Sequence, residues 1–178
     1  MKDGDPGLDP AATPVRVRVA TADDAAGIQA VADETWRSSY VDILPSEAIG
    51  QFIVDAYSMP AIGRRITAAD RFEVAVSDAD GSIVGFSEWL RGAADDELVW
   101  AAAYVRPAWQ RRGIGRSFMS SAIAASRGRV SRFLVVVAEA NAAGVAFYRA
   151  MGFIPVERLE SGIHGTPVRE LRLSMLLR

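Results

Sequence analysis

Cysteine is absent from this sequence, and histidine occurs only once, as His164. Without cysteine the chain forms no disulfide, no thiolate metal site and no cysteine acyl-enzyme. A single histidine also excludes a metal site built from several imidazoles. We therefore expect no metal cofactor, and the lack of cysteine is consistent with a cytoplasmic protein.

The sequence also lacks a strong charge of either sign and a long apolar run. The 20 basic and 22 acidic residues give a net charge of −2, so no basic surface of the kind that binds nucleic acid is expected. No apolar run reaches the roughly 18 residues of a membrane-spanning helix, and the acidic, proline- and glycine-rich start does not resemble a signal peptide. These absences predict a protein with neither a nucleic-acid nor a membrane partner.

Hydrophobic periodicity predicts one α/β (α+β) domain over residues 15–178, preceded by a flexible tail over residues 1–14. With 178 residues, the chain is long enough to bury a single core. Alternating strands and amphipathic helices are predicted in the order β-α-α-β-β-β-α-β-α-β-β, without an internal repeat.

The most informative stretch runs from an apolar strand ending at Val105, through Gly113 and Gly115, into a helix. Glycine lets backbone N–H groups approach a ligand, and the unpaired N–H groups at a helix start attract phosphate. Three arginines in the same stretch would add charge-assisted hydrogen bonds to an anion: Arg111, Arg112 and Arg116. A plain strand-to-helix connection would contain the same glycines, so this stretch alone leaves both interpretations open.

Two common phosphate-binding loops do not fit the spacing of these glycines. A dinucleotide fingerprint requires a third small residue where Phe118 stands. A Walker loop requires a glycine and a lysine where Gln110 and Arg116 stand.

A later helix, over about residues 141–151, carries Asn141 and Tyr148 seven positions apart, which is about two helical turns. Both side chains therefore project from one face, with Gly144 between them, where they suit a ligand chain. Four residues form the opposite face and are predicted to pack on the core: Ala143, Phe147, Ala150 and Met151. An asparagine cap followed by a half-exposed tyrosine would explain the same pair.

Together the two motifs resemble those of the GNAT superfamily of N-acetyltransferases, and they follow in the same order. The first is Gln110-x-x-Gly113-x-Gly115, and the second runs from Asn141 through Tyr148 to Phe153. The resemblance covers roughly residues 15–178 and implies the GNAT fold, a mixed central sheet of about seven strands flanked by about four helices. It also implies acetyl-CoA as the cosubstrate, no metal, and direct transfer of the acetyl group to an amine.

The resemblance implies a role for each motif residue. Asn141 is expected to contact the pantetheine arm, and Tyr148 to protonate the departing CoA thiolate. Backbone groups of three residues at the strand end are expected to bond the pantetheine amides: Ala103, Tyr104 and Val105. The pyrophosphate is expected on the glycine loop, which comprises Gln110, Arg111, Arg112, Gly113, Ile114, Gly115 and Arg116.

The general base is less defined. Glu97 lies on the strand before the loop, two residues before the position that the best-known family pattern uses, where Val99 stands. The two positions share a strand face, and a β-bulge would be needed to bring Glu97 to the reacting atoms. Glu88 on the neighbouring strand and a chain of water molecules are the alternatives.

The acceptor is expected to bind near Trp36 and Tyr40, in a segment that resembles one found in many bacterial GNAT proteins, and near Glu88. Core packing would explain the aromatic pair equally well. We expect an N-acetyltransferase that acts on the primary amine of a small molecule. A non-catalytic CoA-binding or regulatory domain, and a protein N-terminal or lysine acetyltransferase, are the alternatives. A homodimer is compatible with the sequence, which does not decide the oligomeric state.

Overall fold

The computed structural model of this protein describes residues 13–177. The tail expected over residues 1–14 therefore falls almost entirely outside the described residues. Seven β-strands, numbered in chain order, span Val15–Val19 (β1), Arg71–Ser77 (β2), Ile83–Arg91 (β3), Glu97–Val105 (β4), Arg132–Ala138 (β5), Ile154–Ile163 (β6) and Thr166–Leu176 (β7). Five α-helices in the same part of the chain span Ala25–Ser39 (α1), Ser46–Tyr57 (α2), Met59–Ala68 (α3), Ile114–Ser126 (α4) and Ala142–Ala150 (α5).

The strands form one mixed sheet in the order β1-β2-β3-β4-β5-β7-β6. Neighbouring strands are antiparallel except β4 and β5, which are parallel. Helices α1 to α3 cover one face over a core around Ile28, Ile62 and Phe86, and α4 and α5 cover the other over Phe118 and Phe133. The predicted α/β sheet of about seven strands is confirmed. Among residues 13–177, no helix is both long and apolar enough to cross a bilayer.

One described helix, α3, is missing from the predicted order, so the expected number of about four helices is one too low. The helix has a proline in its first turn, Pro60, which is a start signal. Its interior, however, contains the polar run Gly63-Arg64-Arg65, and only Ala61 and Ile62 are fully buried. A stripe this short does not establish a helical period in the sequence.

Strands β4 and β5 pair only along their first three residues. The parallel register runs from Glu97 opposite Arg132 to Val99 opposite Leu134, and then stops. From there to Val105, β4 pairs with β3 alone. The two strands therefore diverge and leave an open wedge in the middle of the sheet.

A bulge in β4 lies where the strands diverge. Glu88 of β3 is opposite Ala102, and the next residue, Trp89, is opposite Trp100, so Ala101 is an extra residue in β4. Trp100 packs in the core under α4 and α5, whereas Ala102 and Tyr104 face α1 and α2. Because strand side chains alternate, the extra residue sends Tyr104 to the face opposite Trp100.

Candidate active site

A cavity of about 610 Å³ lies on the α1–α3 face of the sheet, beside the wedge between β4 and β5. Ala101 and Tyr104 of β4 and Val136 and Ala138 of β5 form its sheet wall. The remaining wall comes from α1, α2, α3, β3 and the β6–β7 hairpin, and is rich in aromatic and charged side chains: Trp36, Tyr40, Phe52, Asp55, Tyr57, Arg64, Arg65, Glu88, Ile163 and Glu170.

Trp36 and Tyr40 both line this cavity, as expected for acceptor-binding residues. Their rings are stacked with centroids 4.2 Å apart, and Phe52 lies 4.0 Å from Trp36 on centroids. Trp36 is only 3% exposed, so it is a core residue as well as a wall residue. The pair therefore packs in the core and also borders the cavity, because the core continues directly into it.

Glu88 also lines the cavity, but its carboxylate is held by a cation that the sequence analysis does not identify. Arg65 of α3 donates from Nε to both carboxylate oxygens at 3.1 Å, and from Nη1 to the Ala56 carbonyl at 3.0 Å. The guanidinium carbon lies 4.5 Å from the centre of the Tyr57 ring. The Arg65–Glu88 pair is therefore part of the cavity wall, and both carboxylate oxygens already accept hydrogen bonds from Arg65.

All four tyrosines of the chain gather at this place. Three of them line the cavity, namely Tyr40, Tyr57 and Tyr104. The fourth, Tyr148, is close enough for its charge to interact with those of Tyr40 and Tyr57. Burial is the main cause that raises the pKa of each of these phenols. The hydroxyls therefore remain protonated well above neutral pH.

Tyr148 is held by ring contacts and has a free hydroxyl. Its centroid lies 5.6 Å from that of Trp100 and 5.7 Å from that of Phe153, both edge-on. It is the buried residue of α5. Of the four residues predicted to face the core, Phe147 and Met151 pack against it, whereas Ala143 and Ala150 are exposed. Among residues 13–177, no side chain or backbone group hydrogen-bonds the Tyr148 hydroxyl, which leaves it available to a ligand.

Asn141 is the N-cap of α5. Its side-chain oxygen accepts a hydrogen bond of 2.9 Å from the Gly144 N–H, which satisfies one of the unpaired donors of the helix start. The capping role predicted as an alternative is therefore present. It uses Oδ1, and the Asn141 side chain also interacts with the Tyr40 hydroxyl.

The loop before α4 has the backbone of an anion site. Gly113 has φ +82° and Arg111 has φ +64°, so two left-handed residues turn the chain into the helix. The first amide of this helix to bond an upstream carbonyl is Ser117, which donates to Gly113. Among the described residues, the N–H groups from Arg111 to Arg116 have no acceptor, and they surround the positive end of α4.

The side chains of the loop divide into two groups. Gln110 donates to the Val105 carbonyl at 3.0 Å, which closes the loop back onto β4. The Arg112 guanidinium lies over the Trp109 ring at 4.4 Å and bonds the Thr13 carbonyl, so this arginine is not directed at an anion as expected. Arg111 and Arg116 are exposed and have no ion pair within residues 13–177.

Gly115 was expected to be glycine so that a ligand could approach the backbone, but the structure shows that close helix packing requires it. A Cβ there would lie 2.7 Å from two ring atoms of Phe147 on α5. The absent side chain lets α4 and α5 pack closely, and the ring fills that space. Around Gly113, in contrast, a Cβ would meet nothing within 4 Å, so its requirement is the backbone conformation.

Glu97 does not reach the cavity, which corrects its expected role as a base. It is the first residue of β4, at the end opposite the glycine loop, and is paired with Arg132 at 3.5 Å. The bulge that could have moved it lies after it, at Ala101, and redirects Tyr104 instead. Within the described chain, no three acidic or histidine side chains gather as metal ligands would.

Four charged cavity residues have no counterpart in the predicted site: Asp55, Arg64, Arg65 and Glu170. Asp55 accepts a hydrogen bond from Gln51 at 3.1 Å and lies 3.5 Å from His164 Nε2, which connects α2 to the β6–β7 turn. Only tertiary packing brings these segments together. His164, expected to be a plain loop residue, is part of that contact.

Comparison with known proteins confirms the family resemblance. Residues 69–155 match the family model described as an acetyltransferase (GNAT) domain. No curated protein matches the sequence significantly.

Solved structures with the same fold include several N-acetyltransferases. The paiA N-acetyltransferase from Thermoplasma acidophilum, in complex with coenzyme A, is 20% identical with a TM-score of 0.79, and the match covers 92% of this chain and 99% of that one. A GCN5-related N-acetyltransferase from Rhodopseudomonas palustris is 20% identical with a TM-score of 0.73, covering 91% and 95%. The ribosomal-protein-S18-alanine N-acetyltransferase from Escherichia coli is 15% identical with a TM-score of 0.66, covering 92% and 94%.

Proposed function

We propose that this chain is a GNAT N-acetyltransferase that transfers the acetyl group of acetyl-CoA directly to the primary amine of a small molecule. The observation that carries the proposal is the wedge between β4 and β5, which opens beyond Val99. The anion-suited loop of α4 lies at the end of β4, and the aromatic cavity lies beside the same strand. A thioester in the wedge would have its pyrophosphate at the loop and its acetyl group towards the cavity.

The free backbone groups fit the parts of CoA. The N–H groups of residues 111–116 suit the pyrophosphate, with the exposed Arg111 and Arg116 beside them. The end of β4, from Ala103 to Val105, has no partner strand on the β5 side and suits the pantetheine amides. The Asn141 amide, which also interacts with Tyr40, has one donor left for the same arm.

The chemistry requires an uncharged amine and a protonated leaving group. The nitrogen lone pair forms the new C–N bond to the thioester carbonyl, and the C–S bond breaks with its electron pair on sulfur. The nitrogen loses a proton, and the thiolate gains one from the Tyr148 hydroxyl. Because burial raises the pKa of Tyr148, this proton is present throughout the neutral range.

The acceptor cavity supports a small cationic amine. Its volume of about 610 Å³ is in the ordinary range for small-molecule sites. The aromatic rings of Trp36, Tyr40 and Phe52 line the cavity, and the carboxylates of Asp55 and Glu170 have the charge that complements an ammonium group.

The test measures thiol release from acetyl-CoA in the presence of alkylamines, polyamines, amino acids and lysine-containing peptides. The expected result is turnover with one class of small amine above the rate without acceptor. Faster turnover with peptides would replace the small-molecule proposal with a protein acetyltransferase. Binding of CoA without turnover on any amine would indicate a non-catalytic CoA-binding domain.

A further inference from the structure

The cavity contains three carboxylates, and only one of them is without a protein partner. Glu88 is held by Arg65, and Asp55 is bonded by Gln51 and lies near His164. Glu170, which is half-buried, has no hydrogen bond and no ion pair among residues 13–177. Placing a carboxylate in a cavity without a hydrogen-bond or ion-pair partner costs free energy. The Glu170 carboxylate is therefore a candidate to contact a bound ligand.

Glu170 occupies a fixed place in the sheet. It lies on β7, opposite Ala138 of β5 on one side and Leu159 of β6 on the other. Ala138 lines the cavity and stands at the end of β5 that faces the wedge. The strand thus presents the Glu170 carboxylate to the cavity from a rigid element rather than from a loop.

Tyr40 connects Glu170 with the other end of the site. The charge of Glu170 adds to burial, the larger cause, in raising the pKa of Tyr40, so the two groups are near each other. Tyr40 and Tyr148 interact in the same way. The other charged groups of the cavity wall are Asp55 on α2, Arg64 and Arg65 on α3, and Glu88 on β3.

We propose that Glu170 is the general base that takes a proton from the bound acceptor ammonium, an inference that rests on the proposed function. The ammonium N–H bond breaks, its proton passes to a Glu170 oxygen, and the nitrogen lone pair becomes free to attack the thioester carbonyl. The proton then leaves to solvent, and Glu170 is again a carboxylate. Tyr148 supplies the separate proton that the thiolate needs. Glu170 therefore acts at the attacking amine and Tyr148 at the leaving group.

Glu170→Gln tests the assignment because it keeps the size of the side chain and removes the basic oxygen. With an alkylamine acceptor, which is an ammonium at neutral pH, kcat/KM is expected to fall by about 10²–10⁴-fold. With an O-alkylhydroxylamine acceptor, which is already neutral, the loss is expected to shrink to a few-fold. The matched control is Glu160→Gln. Glu160 is exposed on β6 and is not a lining residue of the cavity, so this variant is expected to leave both rates unchanged.

Three results would overturn the assignment. Full activity of Glu170→Gln on the alkylamine would show that no base is needed there, and an equal loss on both acceptors would indicate a packing or binding role. A Glu170→Asp variant that is folded by thermal melting and no more active than Glu170→Gln would exclude the carboxylate as the active group. If the wild-type protein turns over neither acceptor, the proposed function itself is wrong. In that case a rise in melting temperature on addition of CoA would still show whether the cofactor binds.

Discussion

The glycine loop and the acceptor cavity are two halves of one candidate site, yet they are built in opposite ways. The loop is a contiguous stretch, Gln110 to Arg116, that offers exposed backbone N–H groups and few internal side-chain contacts. The cavity is assembled from α1, α2, α3, β3 and β7, and two of its charged groups, Arg65 and Glu88, are paired with each other before any ligand arrives. The loop therefore depends on backbone conformation, and the cavity on buried side-chain chemistry.

The largest expected effect is the loss of CoA binding in Gly113→Asp. The new carboxylate would stand where the pyrophosphate is proposed to bind. In the wild type, CoA at about 100 times its Kd should add about 2.7 kcal/mol to the free energy of unfolding, whereas NAD should add nothing. In Gly113→Asp this stabilisation should vanish, as measured by the CoA-dependent shift in Tm.

Gly128→Asp is a matched control for this variant. Gly128 has φ +76°, close to the +82° of Gly113, and a Cβ at either position meets nothing within 4 Å. Both variants therefore carry the same backbone strain of about 1–2 kcal/mol, at opposite ends of α4. Gly128→Asp should keep the full CoA shift. If both variants lose it, the effect belongs to the backbone and not to the anion site.

The second expected effect concerns Tyr148, which we place between the glycine loop and the acceptor cavity, and it is on turnover rather than on CoA binding. Tyr148→Phe keeps the ring contacts with Trp100 and Phe153 and removes only the hydroxyl. We expect kcat to fall by about 10²–10⁴-fold with CoA affinity nearly intact. An acetyl donor whose thiol leaves without protonation should reduce that loss. A variant with wild-type kcat, under conditions where chemistry limits the rate, would leave Tyr148 as only a wall of the channel.

The contrast between loop and cavity also explains how much the sequence predicts. The strand, the glycine loop and the Asn141–Tyr148 helix are local patterns, because their spacing and turn chemistry lie within a few residues. The seven-stranded sheet follows from the same periodicities and is confirmed. Helix α3 is missed because its apolar stripe is only two buried residues long.

The cavity could not be predicted in the same way. Its charged pair joins residues 23 positions apart on α3 and β3, and Glu170 comes from the last strand. The role expected for Glu97 assumed a strand whose side chains alternate regularly, with a bulge placed to help. The extra residue is Ala101, which is one alanine of three in a row and carries no signal in the sequence.

The third effect tests whether the cavity is preorganised. Arg65→Leu would leave the Glu88 carboxylate, which is 3% exposed, without its cation. Because breaking a buried pair strands a charge, we expect the free energy of unfolding to fall by about 3 kcal/mol in urea titrations. The exposed pair of Arg16 and Asp78 is the comparison, and Arg16→Leu should change stability by less than about 1 kcal/mol.

A double variant separates the two explanations for that loss. Arg65→Leu with Glu88→Leu removes both charges and should recover a large part of the stability, since no unpaired charge remains. A double variant no more stable than Arg65→Leu would show that packing of the guanidinium on Tyr57 matters more than its charge. Loop variants such as Gly113→Asp should not show this coupling.

The smallest expected effect is on stability at alkaline pH. It distinguishes the cavity from the loop because the two contain different ionisable side chains. Burial raises the pKa of all four tyrosines around the cavity, whereas the loop contains only arginines as ionisable groups. The unfolded chain releases the phenol protons near pH 10, below the pH at which the folded protein does. The stability that the neutral phenols contribute is therefore full below about pH 10 and is lost as the pH rises through the folded-state values.

Ultraviolet difference absorbance should show phenolate in urea-unfolded protein at a pH where native protein shows almost none. Tyr148→Phe removes one of these groups, so its urea stability should fall less steeply between about pH 10 and 11 than that of the wild type. Native tyrosines that ionise near pH 10 with no loss of stability would mean that the cavity is open to water, and the contrast with the loop would not hold.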